Sequence, residues 1–185
     1  MFFRKKNELS PLVPSDSAIN ERILRTIEQA DLDPQEVMVV GSAALLLYGA
    51  ELDSYDPDLG EIRERPGDVD FASTASYMED LFANGTRSGA VAIRKPSDNK
   101  RQVMLGIKTD FLPVDVITRY RDGGNMEQYD ERFRRAVLAR SSRPIDGASA
   151  RVATPSYLRS ELKFNAPLYA KASQDSIAFE KSQRQ

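Results

Sequence analysis

The 185-residue sequence contains no cysteine, no histidine and no tryptophan. The lack of cysteine excludes disulfides, thiol nucleophiles and zinc fingers. The lack of histidine excludes the Ser-His-Asp triad and every histidine-ligated metal centre. Any chemistry must therefore use carboxylates, hydroxyls, lysine and arginine, and any metal must be a hard, oxygen-seeking cation such as Mg²⁺, Mn²⁺ or Ca²⁺.

The sequence also has no long hydrophobic run and almost no net charge. Its longest apolar stretch, 37–50, is interrupted by Gly41-Ser42 and is too short to cross a bilayer. The first seven residues place two phenylalanines before the charges, with no apolar core behind them, which is not the pattern of a signal peptide. A net charge of −2 favours neither a nucleic-acid binder nor an acidic tail protein. We expect a soluble, cytoplasmic protein with no membrane partner.

The length and composition predict one globular domain. A hydrophobic content of 41% and a charged content of 29% are ordinary for such a domain. Pro11 and Pro14 punctuate a segment with neither periodicity nor apolar core. We therefore expect a flexible arm over 1–14, a single domain over 15–180 and a short tail over 181–185.

Alternating helical and strand patterns predict an α/β architecture. A helix is expected after a Ser15-Asp16 cap, because Ile19, Ile23 and Ile27 fall on one face, and Leu32-Asp33-Pro34 is expected to stop it. Further helices are expected at 43–49, 77–82, 126–139 and 155–166. Strands are expected at 37–40, 68–71, 90–94, 102–107 and 112–118. The acidic segment 51–64 is interpreted as a loop insertion, and 97–100 and 141–144 as breaks between elements.

Three elements of the sequence together suggest a phosphate-handling metal site. Gly41-Ser42 follows a buried strand, Asp68-x-Asp70 lies on a second strand, and Asp115 lies on a third. Residues two apart in a strand share a face, so the Asp68 and Asp70 carboxylates repel each other unless a divalent cation holds them. A third carboxylate nearby completes a site for two metals, and a glycine turn that opens a helix offers N–H groups to phosphate.

This order of motifs resembles the nucleotidyltransferase superfamily, which includes polymerase β, the aminoglycoside nucleotidyltransferases and the AbiEii-type toxins. The resemblance implies a nucleotidyltransferase fold, with a mixed central β-sheet flanked by helices. It implies Mg²⁺- or Mn²⁺-dependent transfer of a nucleoside monophosphate from a nucleoside triphosphate such as ATP. In that comparison Gly41 and Ser42 hold the triphosphate, Asp68 and Asp70 bind the metal, and Asp115 is a third ligand that helps to activate the acceptor.

The AbiEii-type members have an arginine shortly before the aspartate pair and a lysine on a later helix. Arg65 and Lys163 stand at these places, and the resemblance makes them nucleotide-binding residues that neutralise the leaving pyrophosphate. A Lys-Asp pattern then follows in such proteins; Lys171 and Asp175 match it loosely, and no role is assigned to them. The same resemblance implies RNA or tRNA as the acceptor and a cognate antitoxin as a protein partner.

Charge is unevenly distributed along the chain. Residues 50–70 carry eight acidic and two basic side chains, whereas 84–110 carry six basic and two acidic. Residues 119–143 carry seven basic and four acidic side chains. An acidic edge that binds cations, opposite basic segments, would suit a metal-bound triphosphate and a polyanionic acceptor.

Simpler interpretations remain open for each motif. Asp-x-Asp is commonly the solvent face of a strand, Ser42 can be a helix cap, and Lys163 can be a surface lysine with a buried stem. The helix around 132–135 can expose its arginines to solvent without any function. As a whole, the chain could be a catalytically silent nucleotide-binding or interaction module of the same fold, or an unrelated α/β interaction domain. The enzyme hypothesis requires the three carboxylates to converge beside Gly41.

Overall fold

A computed structural model describes residues 17–95, 103–120 and 124–184. The arm at 1–14, the cap at Ser15-Asp16 and the turn at 97–100 lie outside the described residues. The helices are α1 (Ser17–Ala30), α2 (Gly41–Leu47), α3 (Ala75–Asn84), α4 (Met126–Arg132), α5 (Ala139–Ser141), α6 (Pro155–Asn165) and α7 (Ala170–Ser182), with a π-helical segment at Phe133–Leu138. The strands are β1 (Val37–Val40), β2 (Tyr55–Asp56), β3 (Glu61–Ile62), β4 (Val69–Ser73), β5 (Ala92–Lys95), β6 (Val103–Ile107), β7 (Val114–Thr118), β8 (Ser142–Pro144) and β9 (Arg151–Ala153).

Seven of these strands form one mixed sheet in the order β5-β6-β7-β4-β1-β9-β8. The pairs β4/β7 and β1/β9 are parallel, and the other neighbours are antiparallel. Helices flank this sheet, so the α/β class and the mixed sheet expected from the sequence are confirmed. The strands β2 and β3 form a separate two-stranded hairpin.

The apolar side chains of the central strands place these strands in the core of the domain. Val37, Met38 and Val39 are all buried, because β1 lies between β4 and β9 in the interior of the sheet. On β4, Val69 and Phe71 are buried in the core, whereas Asp70 between them points to the opposite face. The alternation on β4 therefore separates a core face from a polar face.

The last helix, α7, packs against the rest of the domain through an aromatic contact and a buried ion pair. Phe179 is fully buried and meets the ring of Tyr48 edge to face, at a centroid distance of 6.1 Å. Asp175 makes a buried ion pair with Arg65. The helix extends to Ser182, inside the segment expected to be a tail. Among the described residues, the structure contains no helix with the length and apolarity needed to traverse a lipid bilayer.

Three local predictions were wrong or incomplete. The expected break at 141–144 contains the edge strand β8, which pairs with the unpredicted β9. Pro144 is tolerated there because an edge strand leaves some N–H positions unpaired. The predicted loop insertion at 51–64 contains the β2-β3 hairpin. The expected helix at 126–139 is interrupted by the π-helical segment and continues to Ser141.

Candidate functional site

The three aspartates singled out from the sequence lie together on one face of the sheet. The strands β4 and β7 are parallel neighbours, and their register places Asp70 beside Asp115. Asp68 precedes β4 by one residue and faces the same side as Asp70. One carboxylate oxygen from each of Asp68, Asp70 and Asp115 lies within 4.8 Å of the others. The geometric condition set by the enzyme hypothesis is therefore met.

Gly41 lies directly against this cluster. Its backbone has a φ of 65°, a conformation that residues with a Cβ rarely adopt. A Cβ placed on Gly41 would overlap the carboxylate of Asp70. The first residue of α2 and the Asp70 side chain can thus approach each other only because residue 41 is glycine.

The electrostatics of the cluster are those of crowded carboxylates. Burial, followed by the charges of Asp68 and Asp115, raises the pKa of Asp70 to about 8. Burial and the neighbouring Asp115 also raise the pKa of Asp68 above its usual range. Three half-buried or buried carboxylates that repel one another form the donor set that Mg²⁺ or Mn²⁺ prefers. The residues present therefore fit a hard divalent cation.

Two lysines face the cluster and oppose this repulsion. Lys95 on β5 makes an ion pair with Asp115, and Lys171 at the start of α7 acts on both Asp68 and Asp70. Both ammonium groups lower the pKa values that burial raises. The sequence analysis assigns no role to Lys171, and no local pattern in the sequence singles out Lys95. These lysines come from elements remote in the chain, and only the folded sheet and α7 bring them to the carboxylates.

Arg65 and Ser42 form a partly buried network beside the cluster. Ser42 Oγ accepts a hydrogen bond of 2.8 Å from Arg65 Nη2, and the same nitrogen lies 2.7 Å from Asp175 Oδ2. Arg65 Nη1 also donates to the carbonyl oxygen of Asp53. Arg65 is 8% exposed, so it joins α2 to α7 from the interior. Its contact with a nucleotide stays a prediction.

Lys163 is not brought to the carboxylates in this structure. It is exposed in the last turn of α6. Tyr157, Glu161 and Asn165 of the same helix line a cavity, and their spacing of four residues defines one side of α6. Residue 163 lies between these positions in the sequence and so points to the opposite side. Of the two lysines, it is Lys171 whose charge acts on the carboxylates. The nucleotide-binding role predicted for Lys163 stays a prediction.

The acidic hairpin segment anchors α7 rather than presenting a free acidic edge. Asp58 accepts hydrogen bonds from the backbone N–H groups of Ala170 and Lys171, at 2.8 and 2.9 Å. Asp56 is buried, and its carboxylate lies 3.8 Å from Lys171 Nζ. The segment 51–64 therefore fixes the start of α7 and holds Lys171 where its charge acts on Asp68 and Asp70.

Replacing Asp58 by alanine tests this anchoring role. The variant loses the acceptor for the first N–H groups of α7, so its free energy of unfolding should fall by about 1 kcal/mol in a urea titration. Asp53→Ala is the matched control, because the Asp53 carboxylate accepts from Tyr55 N within the same segment and, among the described residues, holds no other element. Equal stability losses in the two variants would contradict a specific role for Asp58.

A cavity of about 420 Å³ opens beside the carboxylates. Gly41 and Asp70 lie at one end, and Ala72 and Ile117 continue the sheet face away from them. The walls come from the helical residues Tyr129, Phe133, Val137 and Tyr157, and the polar lining from Arg119, Arg132, Glu161 and Asn165. Small-molecule sites combine such apolar walls with a few polar groups. The cavity and the carboxylate cluster form one continuous candidate site.

Scans of the chain against protein-family models, curated proteins and solved structures find no match. A function must therefore be argued from the geometry of the site.

Proposed function

We propose that this protein is a metal-dependent nucleotidyltransferase with the fold of the superfamily that its motifs resemble. The observation that carries the proposal is the convergence of Asp68, Asp70 and Asp115 beside Gly41. The motifs lie far apart in the sequence, yet they meet at one end of a cavity. An unrelated interaction domain would have no reason to gather three mutually repelling carboxylates there.

In this proposal Asp68, Asp70 and Asp115 hold Mg²⁺ or Mn²⁺. When bound, the ion would neutralise phosphate charge and increase the acidity of the attacking hydroxyl. The acceptor oxygen bonds to the α-phosphorus as the bond from that phosphorus to the bridging oxygen breaks, and pyrophosphate leaves. We assign to Asp115 the acceptance of the proton that the hydroxyl loses.

The remaining residues of the site would bind the nucleotide. The backbone at Gly41 and Ser42 lies beside Asp70, where it can meet the phosphates, and the Lys171 ammonium can offset the charge of the leaving pyrophosphate. The cavity has the size range of small-molecule sites, and the rings of Tyr129 and Tyr157 give it walls suited to a planar base. The amide of Asn165 could then distinguish one base from another.

An RNA or tRNA acceptor, an antitoxin partner and a cytoplasmic location are proposed on the sequence resemblance. The basic segment 119–143 adds less support than its charge count suggests, because several of its arginines have acidic partners. Those pairs are Arg119 with Glu161, Arg134 with Glu36 and Arg135 with Glu131. Such pairs reduce the positive field available to a polyanion.

The proposal is tested by incubating the protein with labelled ATP, CTP, GTP or UTP, Mg²⁺ and total RNA. We expect transfer of label to an RNA, dependent on Mg²⁺, and its loss in the Asp68→Ala/Asp70→Ala variant. Transfer that persists in this variant would show that the site is assigned wrongly. Nucleotide binding without transfer to RNA, to protein or to small hydroxyl compounds would favour the catalytically silent module.

A further inference from the structure

Lys95 reaches the candidate metal site across an entire strand. It lies on β5, whose neighbour is β6, and Asp115 lies on β7 on the far side of β6. Even so, Lys95 Nζ donates to Asp115 Oδ1 at 2.5 Å. The side chain must therefore run over β6 to deliver its charge to the carboxylate cluster.

Gly106 provides the passage for this side chain. It is the residue of β6 that stands directly opposite Asp115. A Cβ on Gly106 would overlap Cε of Lys95 and would lie 3.1 Å from Cδ and 3.3 Å from Cγ. The φ of Gly106 is outside the left-handed region, so its backbone does not require glycine. Alanine is therefore excluded at position 106 by the Lys95 side chain and not by the backbone conformation.

The two partners of the ion pair differ in their freedom to move. The Asp115 side chain is 9% exposed and fixed on a central strand, whereas the Lys95 side chain is 40% exposed at an edge strand. Lys95 can therefore leave Asp115 toward solvent, and Asp115 cannot follow. The Lys95 ammonium contacts Oδ1 of Asp115, and the proposed function assigns this carboxylate to the metal.

We infer that Lys95 is a built-in competitor of the divalent cation at Asp115. In the metal-free protein its ammonium supplies part of the positive charge that the three carboxylates require. Metal binding displaces Lys95 from Asp115 Oδ1, so the lysine weakens the affinity of the site for the free ion. The inference rests on the proposed function, because it assumes that these carboxylates bind metal.

The test is a titration with Mn²⁺ alone, in which free Mn²⁺ is followed by electron paramagnetic resonance. We expect Lys95→Met to lower the dissociation constant about tenfold, since it removes a positive charge in contact with a ligand. Gly106→Ala should act in the same direction, because it obstructs the path of Lys95 and leaves the lysine in the chain. Lys181→Met is the control; it removes the same charge near the C-terminal end of α7 and should leave the constant unchanged.

A second measurement keeps the inference separate from the proposed function. In the absence of metal, Lys95→Met should have a lower melting temperature than the wild type, and Mg²⁺ should reduce the difference. Mn²⁺ affinity that is unchanged or weaker in Lys95→Met would overturn the competitor role and leave the transferase proposal intact. If none of the proteins binds Mn²⁺, both the competitor role of Lys95 and the metal-dependent transferase proposal fail. The transfer assay should then also show no Mg²⁺-dependent transfer.

Discussion

Replacing Gly41 by alanine should lower nucleotidyl transfer about a hundredfold, because a displaced carboxylate or phosphate contact has effects of that size. The new Cβ would overlap the Asp70 carboxylate, so either Asp70 or the start of α2 must move. The φ of 65° adds backbone strain. Together these effects should reduce the free energy of unfolding by about 2 kcal/mol. Transfer rates and urea titrations measure the two losses.

Gly60→Ala is the control that separates the overlap with Asp70 in Gly41→Ala from the strain of a positive φ. Gly60 has a φ of 71°, close to that of Gly41, but a Cβ there would meet no atom within 4 Å. It should lose about 1 kcal/mol of stability from strain alone and keep its transfer activity. If Gly41→Ala keeps full activity, or behaves like Gly60→Ala in both measurements, the close approach to Asp70 has no functional role.

Replacing Asp70 by asparagine should abolish transfer and stabilise the metal-free protein. We expect the rate to fall about a thousandfold, since the proposed metal site would lose one ligand and its charge. In the folded protein the pKa of Asp70 is about 8, so its carboxyl stays protonated up to about that pH. In the unfolded chain the same carboxyl has a pKa of about 4 and loses its proton near that pH. The free energy of unfolding therefore falls as the pH rises between these values.

Denaturation of the metal-free protein at pH 5 and pH 8 measures this effect. The wild type should be less stable at pH 8 by about 4 kcal/mol, and Asp70→Asn should remove most of that loss. Mg²⁺ should restore the wild type at pH 8 and leave the variant unaffected. Asp146→Asn, in the turn between β8 and β9, is a control for the loss of an exposed carboxylate. A wild type as stable at pH 8 as at pH 5 would contradict the crowding of the cluster.

The sequence patterns worked well for the interior strands and poorly for the periphery. The continuous apolar run at 37–40 correctly located β1, and the alternating strand expected at 112–118 contains β7 at 114–118, because burial leaves a local signature. The strands β8 and β9 have three residues each, too few to show a period. The helix α7 was missed because it buries only Ala172, Asp175 and Phe179, and one of these is charged.

The candidate site was likewise predicted only in part from the sequence. The motifs Asp68-x-Asp70, Gly41-Ser42 and Asp115 stand out in the sequence by their residue types and neighbours. Lys95 and Lys171 do not, because their positions depend on strand order and on the docking of α7. The acidic segment 51–64 was expected to be a loop, yet Asp58 holds the first residues of that helix.

The sequence by itself determined the kind of chemistry available to this protein. Without histidine and cysteine, any site must combine carboxylates with lysine, arginine and backbone groups. Only the tertiary structure decided which charges meet: Asp70 beside Asp115 through strand register, and Lys95 on Asp115 across Gly106. The physical reason is that periodicity and turn chemistry are local properties of the chain. Contacts between strands and helices far apart in sequence depend on how the whole sheet is assembled.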